Sequence, residues 1–392
     1  MLPVSARPDI VSKRLLLNVN VAWFFLSHRI AIARAARAAG FDVHVAADIA
    51  SDHEIAALEK EELTFHRVRL NRGGLMPTRD LGYAAQLASV VRRVRPDLIH
   101  NVTAKPIVYG TLVARAHRVR GILNAVSGLG YSFSGGRRRW LASRLVSTAY
   151  RVALRRPGIR VIFQNTDDLQ GFVRAGIIDP LQAVLIRGSG VDLKAFPQTR
   201  EPAGPLRVVL PARMLRDKGI VEFAGAARML RSRGMAAQFL LAGMMDEANP
   251  AGISRAELTQ LQQESGVEWM GHVADMPALL ASAHVVCLPS YREGLPKALL
   301  EACAAGRPIV TTDVPGCRDV VSDGVNGILV PVRDAAALAD ALQRLLGDAA
   351  LRARMGDEGR RRAESEFDVN AVVRATLDEY RKILNRSTTE SE

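Results

Sequence analysis

Short apolar runs alternate with amphipathic helical patterns along the first 126 residues. Leu15–Val21 (LLLNVNV) is short and apolar enough for a strand, followed by a loop through Ser27. Arg29–Gly40 (RIAIARAARAAG) repeats its apolar positions three and four apart until Gly40 stops it, which predicts a helix. Phe41–Ala46 reads as a strand, Leu81–Arg95 as a helix ended before Pro96, Asp97–Asn101 as the start of a strand, Gly110–Val119 as a helix and Ile122–Val126 as a strand. Such alternation predicts a parallel sheet covered by helices. Ile186–Pro205 then carries Gly188, Gly190, Pro197, Pro202, Gly204 and Pro205, the composition of a connector. The alternation restarts with strands at Leu206–Leu210, Ala237–Ala242, Val285–Leu288 and Pro308–Thr312. Helices are expected at Ile220–Arg233, Pro296–Ala305, Ala335–Leu346 and from about Ala350 onward. The fold expected is α/β: two Rossmann-like, doubly wound domains facing a central cleft. The boundaries expected are 1–190, a linker over 191–205, 206–368, and a terminal helix over 369–392 that packs back on the first domain before a disordered tail. Sheets of this kind take ligands outside the carboxyl ends of their strands.

Hydrophobic residues make up 48% of the 392 positions and charged residues 24%, so the chain can build ordinary cores. No apolar run reaches the ~18 residues of a membrane-spanning helix. Asn18, Asn20 and the following His28-Arg29 argue against a signal peptide at Leu15–Ser27. A cytoplasmic protein, peripheral on the cytoplasmic face of the inner membrane, is the expectation. Cys287, Cys303 and Cys317 are odd in number and fit no metal spacing, which suggests buried free thiols. The net charge of +13 calls for an anionic partner, and its distribution matters more than its size: no Asp or Glu occurs from Leu98 to Thr166. Nucleic acid is disfavoured because no aromatic-rich module, helix-turn-helix or zinc pattern accompanies the arginines.

Two segments carry candidate chemistry. In Pro289–Gly306 (PSYREGLPKALLEACAAG) a strand ends, a loop holds Glu293 and Gly294, and a helix begins near Pro296. Amides from Gly294, Leu295 and Lys297 at that helix start form a ready phosphate site. Glu293 and Glu301 flank it and can accept hydrogen bonds from hydroxyls; taken alone, they read equally well as two solvated carboxylates. In Leu206–Gly219 (LRVVLPARMLRDKG) a strand leads to Arg213, with Lys218 five residues on. Two cations at the mouth of a strand suit a diphosphate, the guanidinium gripping two oxygens and the ammonium supplying compact charge.

Together these segments resemble the retaining glycosyltransferase family 4, of the GT-B fold. The resemblance rests on Glu293 and Glu301 within PSYREGLPKALLEA, on Arg213–Gly219, on Gly271-His272-Val273 in WMGHVADMPALLASA, and on Val314–Gly327 (VPGCRDVVSDGVNG). It implies that Arg213 and Lys218 neutralise the donor diphosphate. It further implies that Glu301 binds ribose hydroxyls, Glu293 contacts the donor sugar, and Gly271, His272 and Val273 hold the base. No Asp-x-Asp element is present, so no metal and no cofactor is expected.

Ser127–Gly136 (SGLGYSFSGG), YREGLP and the His28-Arg29 pair resemble a subgroup that extends polyprenyl-diphosphate-linked sugars, including bacterial N-acetylgalactosaminyltransferases. That resemblance implies a lipid-linked saccharide acceptor and a UDP-sugar donor. His28, Arg29, His100, Lys105, Ser127, Gly128 and Gly130 are the candidates on the acceptor or phosphate side. Many members carry His-x-His after the relevant strand; this chain has His100-Asn101-Val102, so His100 reads either as a packed strand-end histidine or as a site residue. Arg137–Arg160 reads as a basic amphipathic helix, with Trp140, Leu141, Leu145, Tyr150 and Leu154 as apolar contacts. It suits either an anionic membrane surface or a core-packed helix with an exposed Arg face. Alternatives are a UDP-N-acetylhexosamine 2-epimerase, which would need no acceptor, and a transferase with a soluble acceptor.

Overall fold

The computed structural model describes residues 13–49, 51–71, 76–128, 137–246 and 249–389. They divide into two compact units. One runs to Ile186 and resumes at Val373; the other is Arg187–Val372.

In the first unit the apolar runs become parallel strands β1 (Arg14–Val21), β2 (Asp42–Asp48), β3 (Thr64–Arg67), β4 (Leu98–Val102), β5 (Gly121–Val126), β6 (Ile159–Phe163) and β7 (Ala183–Leu185). Their order is β3-β2-β1-β4-β5-β6-β7. Strands β4 and β5 are buried at every position, because helices cover both faces of a parallel sheet. Leu16, Ile99, Ile122, Tyr150, Phe163 and Phe172 lie in the core on one side. The helix Val369–Thr389 contributes its residues from Val373 to this unit: Tyr380 meets His100, and Glu379 pairs with Arg160 at 3.0 Å.

The second unit repeats the scheme with β8 (Leu206–Pro211), β9 (Ala237–Ala242), β10 (Glu268–Gly271), β11 (Val285–Leu288), β12 (Ile309–Thr312) and β13 (Gly327–Val330), ordered β10-β9-β8-β11-β12-β13. Relabelled within each unit, both sheets begin with the order 3-2-1-4-5-6. Their topological switch points therefore fall between β1 and β4, and between β8 and β11. The Gly- and Pro-rich connector is packed against the second unit. Buried Arg307 donates to the carbonyls of Thr199 (3.1 Å) and Arg200 (3.2 Å), and buried Arg352 grips Glu201 through two bonds of 2.8 and 2.6 Å.

Several local expectations are corrected. The stretch after β1 is not a loop: Ala22–His28 is a helix, with Ala22 and Phe25 buried and Phe25 against Phe65. The helix expected at Gly110 starts six residues earlier, at Ala104, and passes through a π-helical turn at Pro106–Gly110 before Thr111–Ala116. Pro296 is the N-cap of Lys297–Ala304 and not its first helical residue. The basic segment is helical only over Arg137–Leu154; Arg160 lies on β6.

Candidate functional site

The loops that leave β8, β11 and β12 at their carboxyl ends are laced together. After β8, Arg213 and a 3-10 turn at Arg216–Lys218 lead to Gly219, whose φ of 74° opens the next helix. A Cβ at Gly219 would overlap the Pro289 carbonyl oxygen, so only glycine lets the two loops approach this closely. The Tyr291 amide donates to the Asp217 carbonyl at 2.8 Å. After β12, Gly316 has φ 81°, and a Cβ there would overlap the Gly294 carbonyl oxygen. Thr312 donates to the Ser290 carbonyl from the same side.

This lacing sets Lys218 against Glu293, which also accepts from Ser290 Oγ at 2.7 Å. One turn into the helix Lys297–Ala304, Lys297 pairs with Glu301. Arg213 pairs with Asp246, beyond β9. Three cations thus face three carboxylates, and the paired charges cancel. Glu293, Asp246 and Glu301 are largely buried, with side-chain exposures of 11%, 9% and 11%. Burial raises the pKa of Asp217, against the pull of Lys218. Tyr291 donates to Glu222 at 2.7 Å, lies under Arg333, and has its phenol pushed up to about 12 by burial and that carboxylate.

Chemically, this arrangement can exchange partners. An anion with two phosphates offers Lys218 and Arg213 new acceptors in bidentate or compact form. The released carboxylates are then free to accept from hydroxyls. Helix geometry leaves the first-turn amides near Lys297 without partners inside the helix, while Pro296 contributes no N–H. Leu295 is buried at this turn, beneath Gly188. Gly271 ends β10 and accepts from the Gly243 amide at 2.8 Å, so the β9 and β10 loops are joined. His272 is exposed and Val273 half-buried beside them.

The first-unit candidates do not form one cluster. His28 stacks on Phe24, with ring centroids 4.2 Å apart, and contacts Ser27 Oγ at 2.7 Å. Arg29 is buried between two helices, and desolvation lowers its pKa to about 10. His100 is 1% exposed, bonded through Nδ1 to Tyr380 at 2.7 Å; burial, reinforced by Arg29, lowers its pKa to about 3. Its other ring nitrogen, Nε2, is buried with no hydrogen-bond partner among the described residues. Lys105 pairs with Asp80 at 2.6 Å and donates to the Asn71 carbonyl at 2.8 Å. Ser127 and Gly128 follow β5, the Ser127 hydroxyl buried without a partner among the described residues. Gly130 lies outside the described residues, as do the side chains of Arg137, Arg138, Arg139, Trp140 and Leu141.

The basic helix splits by face. Tyr150 and Leu154 belong to the core and not to an apolar surface. Arg151 caps the carbonyls of Ala175 (2.7 Å) and Gly176 (3.2 Å). Leu145 (62%) and Val152 (59%) are exposed, beside exposed Arg144, Arg155 and Arg156. Among the described residues, no helix is long and apolar enough to cross a membrane. The three cysteines are free and buried.

Sequence reasoning missed Asp246 and Asp80, the partners of Arg213 and Lys105. Asp246 lies four residues past the end of β9, and that place just beyond a strand end is its signal in the sequence. Asp80 sits in the first turn of the helix Pro77–Val94, a position common for any acid.

The family described as glycosyl transferase 4-like matches residues 14–166, and the one described as glycosyl transferases group 1 matches residues 205–348. The chain is 27% identical over 329 residues to an N,N'-diacetylbacillosaminyl-diphospho-undecaprenol alpha-1,3-N-acetylgalactosaminyltransferase of Campylobacter jejuni, covering 80% of this chain and 84% of that one. A sucrose-phosphate synthase from Thermosynechococcus elongatus superposes with a TM-score of 0.77 at 21% identity, over 95% of this chain and all of that one. Alr3699/HepE from Anabaena, solved in complex with UDP, gives 0.74 at 21% identity, over 94% and 100%. With both matches in place on two Rossmann-like units, the chain is a glycosyltransferase of the GT-B fold, built from a glycosyl transferase 4-like domain and a glycosyl transferases group 1 domain.

Proposed function

We propose that this glycosyltransferase moves a sugar, an N-acetylhexosamine, from a UDP-sugar to a polyprenyl-diphosphate-linked saccharide, with retention of anomeric configuration. The observation that carries the donor side is the set of ion pairs at the carboxyl ends of β8 and β11: Lys218 with Glu293, Lys297 with Glu301, and Arg213 with Asp246. The UDP complex of the Anabaena protein supports uridine, and the printed activity of the Campylobacter relative supports the acceptor.

In this reading the diphosphate displaces the carboxylates from Lys218 and Arg213. Glu293 then accepts from hydroxyls of the sugar, and Glu301 from those of the ribose. The acceptor oxygen bonds to the anomeric carbon while that carbon's bond to the diphosphate oxygen breaks. The hydroxyl proton leaves on the departing diphosphate, on the same face of the ring. Negative charge grows on the leaving group, and Arg213, Lys218 and the helix-start amides are aimed where it develops. Removing one such pre-set donor typically costs about 100- to 1,000-fold in turnover. The reaction so written uses no metal, and EDTA is expected to leave the rate unchanged.

The exposed strip of Leu145, Val152, Arg144, Arg155 and Arg156 suits an anionic membrane, where a lipid-linked acceptor resides. The test is transfer from UDP-N-acetylgalactosamine to a synthetic polyprenyl-diphosphate N-acetylhexosamine, with the product's anomeric configuration read by NMR. A product with the donor's configuration supports the reading. An inverted product, or transfer to soluble saccharides alone, contradicts it.

A further inference from the structure

The first unit buries a polar feature that the donor chemistry does not use. Asn18, Asn101 and Asn124 sit on three adjacent strands, β1, β4 and β5, in matched register and with no exposure. Asn18 donates to Asn101 Oδ1 at 2.9 Å, and Asn101 donates to Asn124 Oδ1 at 3.1 Å. Tyr83 closes one end, donating to Asn18 Oδ1 at 2.8 Å; Thr111 donates to Asn124 Oδ1 at 2.9 Å at the other. The amides all point one way, and Asn124 Nδ2 ends the row without a partner among the described residues.

Fold stability alone does not call for such a row. Val102, Leu123 and Ala125 beside them on β4 and β5 are apolar, and replacing both partners of a buried hydrogen bond by apolar groups of the same shape is often neutral or stabilising. A chain of directional side-chain hydrogen bonds instead favours one geometry. What rests on this row is the π-helical turn Pro106–Gly110. A Cβ at Gly110 would overlap Asn101 Oδ1 and lie 2.6 Å from Asn18 Nδ2, so the turn's backbone touches the amides directly. The π turn is rare and concentrates at functional sites. Just before it, Thr103 holds φ at 76°, costly for a β-branched residue, and its hydroxyl is buried without a partner. Between the strained residue and the turn lies Lys105, pinned to Asp80.

We infer that the row Asn18–Asn101–Asn124 positions Lys105: by seating Gly110 it fixes the π turn and holds Thr103 in its strained conformation, setting the height of the Lys105 ammonium above the sheet. This rests on the proposed lipid-linked acceptor and on taking Lys105, a candidate on the acceptor or phosphate side, as the cation that meets its diphosphate. The asparagines touch no substrate; they act through the turn.

The test compares three variants of the full chain. The first is Lys105→Ala. The second makes the row apolar without leaving a polar atom stranded: Asn18→Leu, Asn101→Leu, Asn124→Leu, Tyr83→Phe and Thr111→Val. The third combines the two. Acceptor KM and kcat are read with UDP-N-acetylgalactosamine and polyprenyl-diphosphate N-acetylhexosamine, and UDP affinity is read by calorimetry. Lys105→Ala is expected to raise acceptor KM by about tenfold or more with little change in kcat, the mark of a contact made equally in ground and transition states. The apolar row is expected to do the same with UDP affinity unchanged, and the combination to cost no more than Lys105→Ala alone, because residues acting through one another are not additive.

A folded apolar-row variant with wild-type acceptor KM overturns the inference, as does a combined loss equal to the product of the two. If Lys105→Ala leaves acceptor KM unchanged, the acceptor reading of Lys105 falls and the inference with it. Should the apolar row not fold, Gly110→Ala, which pushes the turn off Asn101, takes its place in the same comparison.

Discussion

At the scale of single residues, the candidate donor site is a set of charges already spoken for. Lys218 and Lys297 are each held by the carboxylate that the proposed reaction assigns to a sugar or ribose. Glu293 therefore has two opposing effects: it competes with diphosphate for Lys218 and supplies an acceptor for the sugar. Glu293→Gln is expected to lower turnover by about 100-fold or more, the scale of losing one pre-set electrostatic contact. In the same variant, affinity for UDP without a sugar is expected to rise, because the ammonium is released. Calorimetry with UDP checks it; weaker UDP binding would mean that Glu293 organises the diphosphate contact and does not oppose it. Glu293, Glu301, Arg213 and Lys218 were all legible in the sequence as a spaced pattern. Their pairing was not. Arg213 meets a carboxylate 33 positions away, and Lys218 one 75 positions away. Such meetings depend on strand order and on Gly219 admitting the Pro289 loop.

At the scale of elements, apolar runs located the central strands well, since β1, β4, β5, β8, β9, β11 and β12 lie inside or within a few residues of the runs. Edge strand β3 (TFHR) has no apolar run, because none of its positions is fully buried: Thr64 and Arg67 are exposed, Phe65 and His66 half-buried. The helix Ala22–His28 was hidden for the opposite reason: AWFFLSH continues the apolar run of β1 without a break, so periodicity could not mark the change. The row of asparagines was also illegible. One Asn per strand is unremarkable until register sets the three side by side. The helix Arg137–Leu154 shows burial dividing a sequence motif: of the three apolar contacts whose side chains are described, Tyr150 and Leu154 enter the core and Leu145 stays outside, together with Val152. Charge reversal at Arg144, Arg155 and Arg156 is expected to weaken binding to anionic vesicles by roughly 1 kcal/mol per residue before screening. Co-sedimentation with phosphatidylglycerol vesicles checks it. Equal binding by the variant would remove this helix from the membrane account.

At the scale of the whole molecule, two sheets of matching order put their switch points at β1/β4 and β8/β11; the candidate donor-side residues Arg213, Lys218, Glu293 and Glu301 follow β8 and β11, and Lys105 follows β4. Stability is expected to depend on pH through the first unit. His100 is held neutral by burial, its pKa near 3 against an ordinary 6.5, and His66 is lowered to about 4 in the same sense. Below pH 6.5 the unfolded chain takes up protons that the folded chain refuses. The contribution is therefore complete above that pH and is lost toward the folded values, at about 1.4 kcal/mol per unit for buried His100 and less for half-buried His66, which water screens. Urea unfolding of wild type and His100→Gln at pH 7, 6 and 5 is expected to show the variant's deficit shrinking as pH falls; a constant deficit would contradict a neutral His100.

The account's central claim is transfer from a UDP-sugar to a lipid-linked acceptor. It is tested most directly by UDP release from a panel of UDP-sugars, with and without polyprenyl-diphosphate saccharides. UDP release from a UDP-N-acetylhexosamine that requires the lipid acceptor is the expected result. Release without any acceptor, accompanied by a free epimerised sugar, would contradict it.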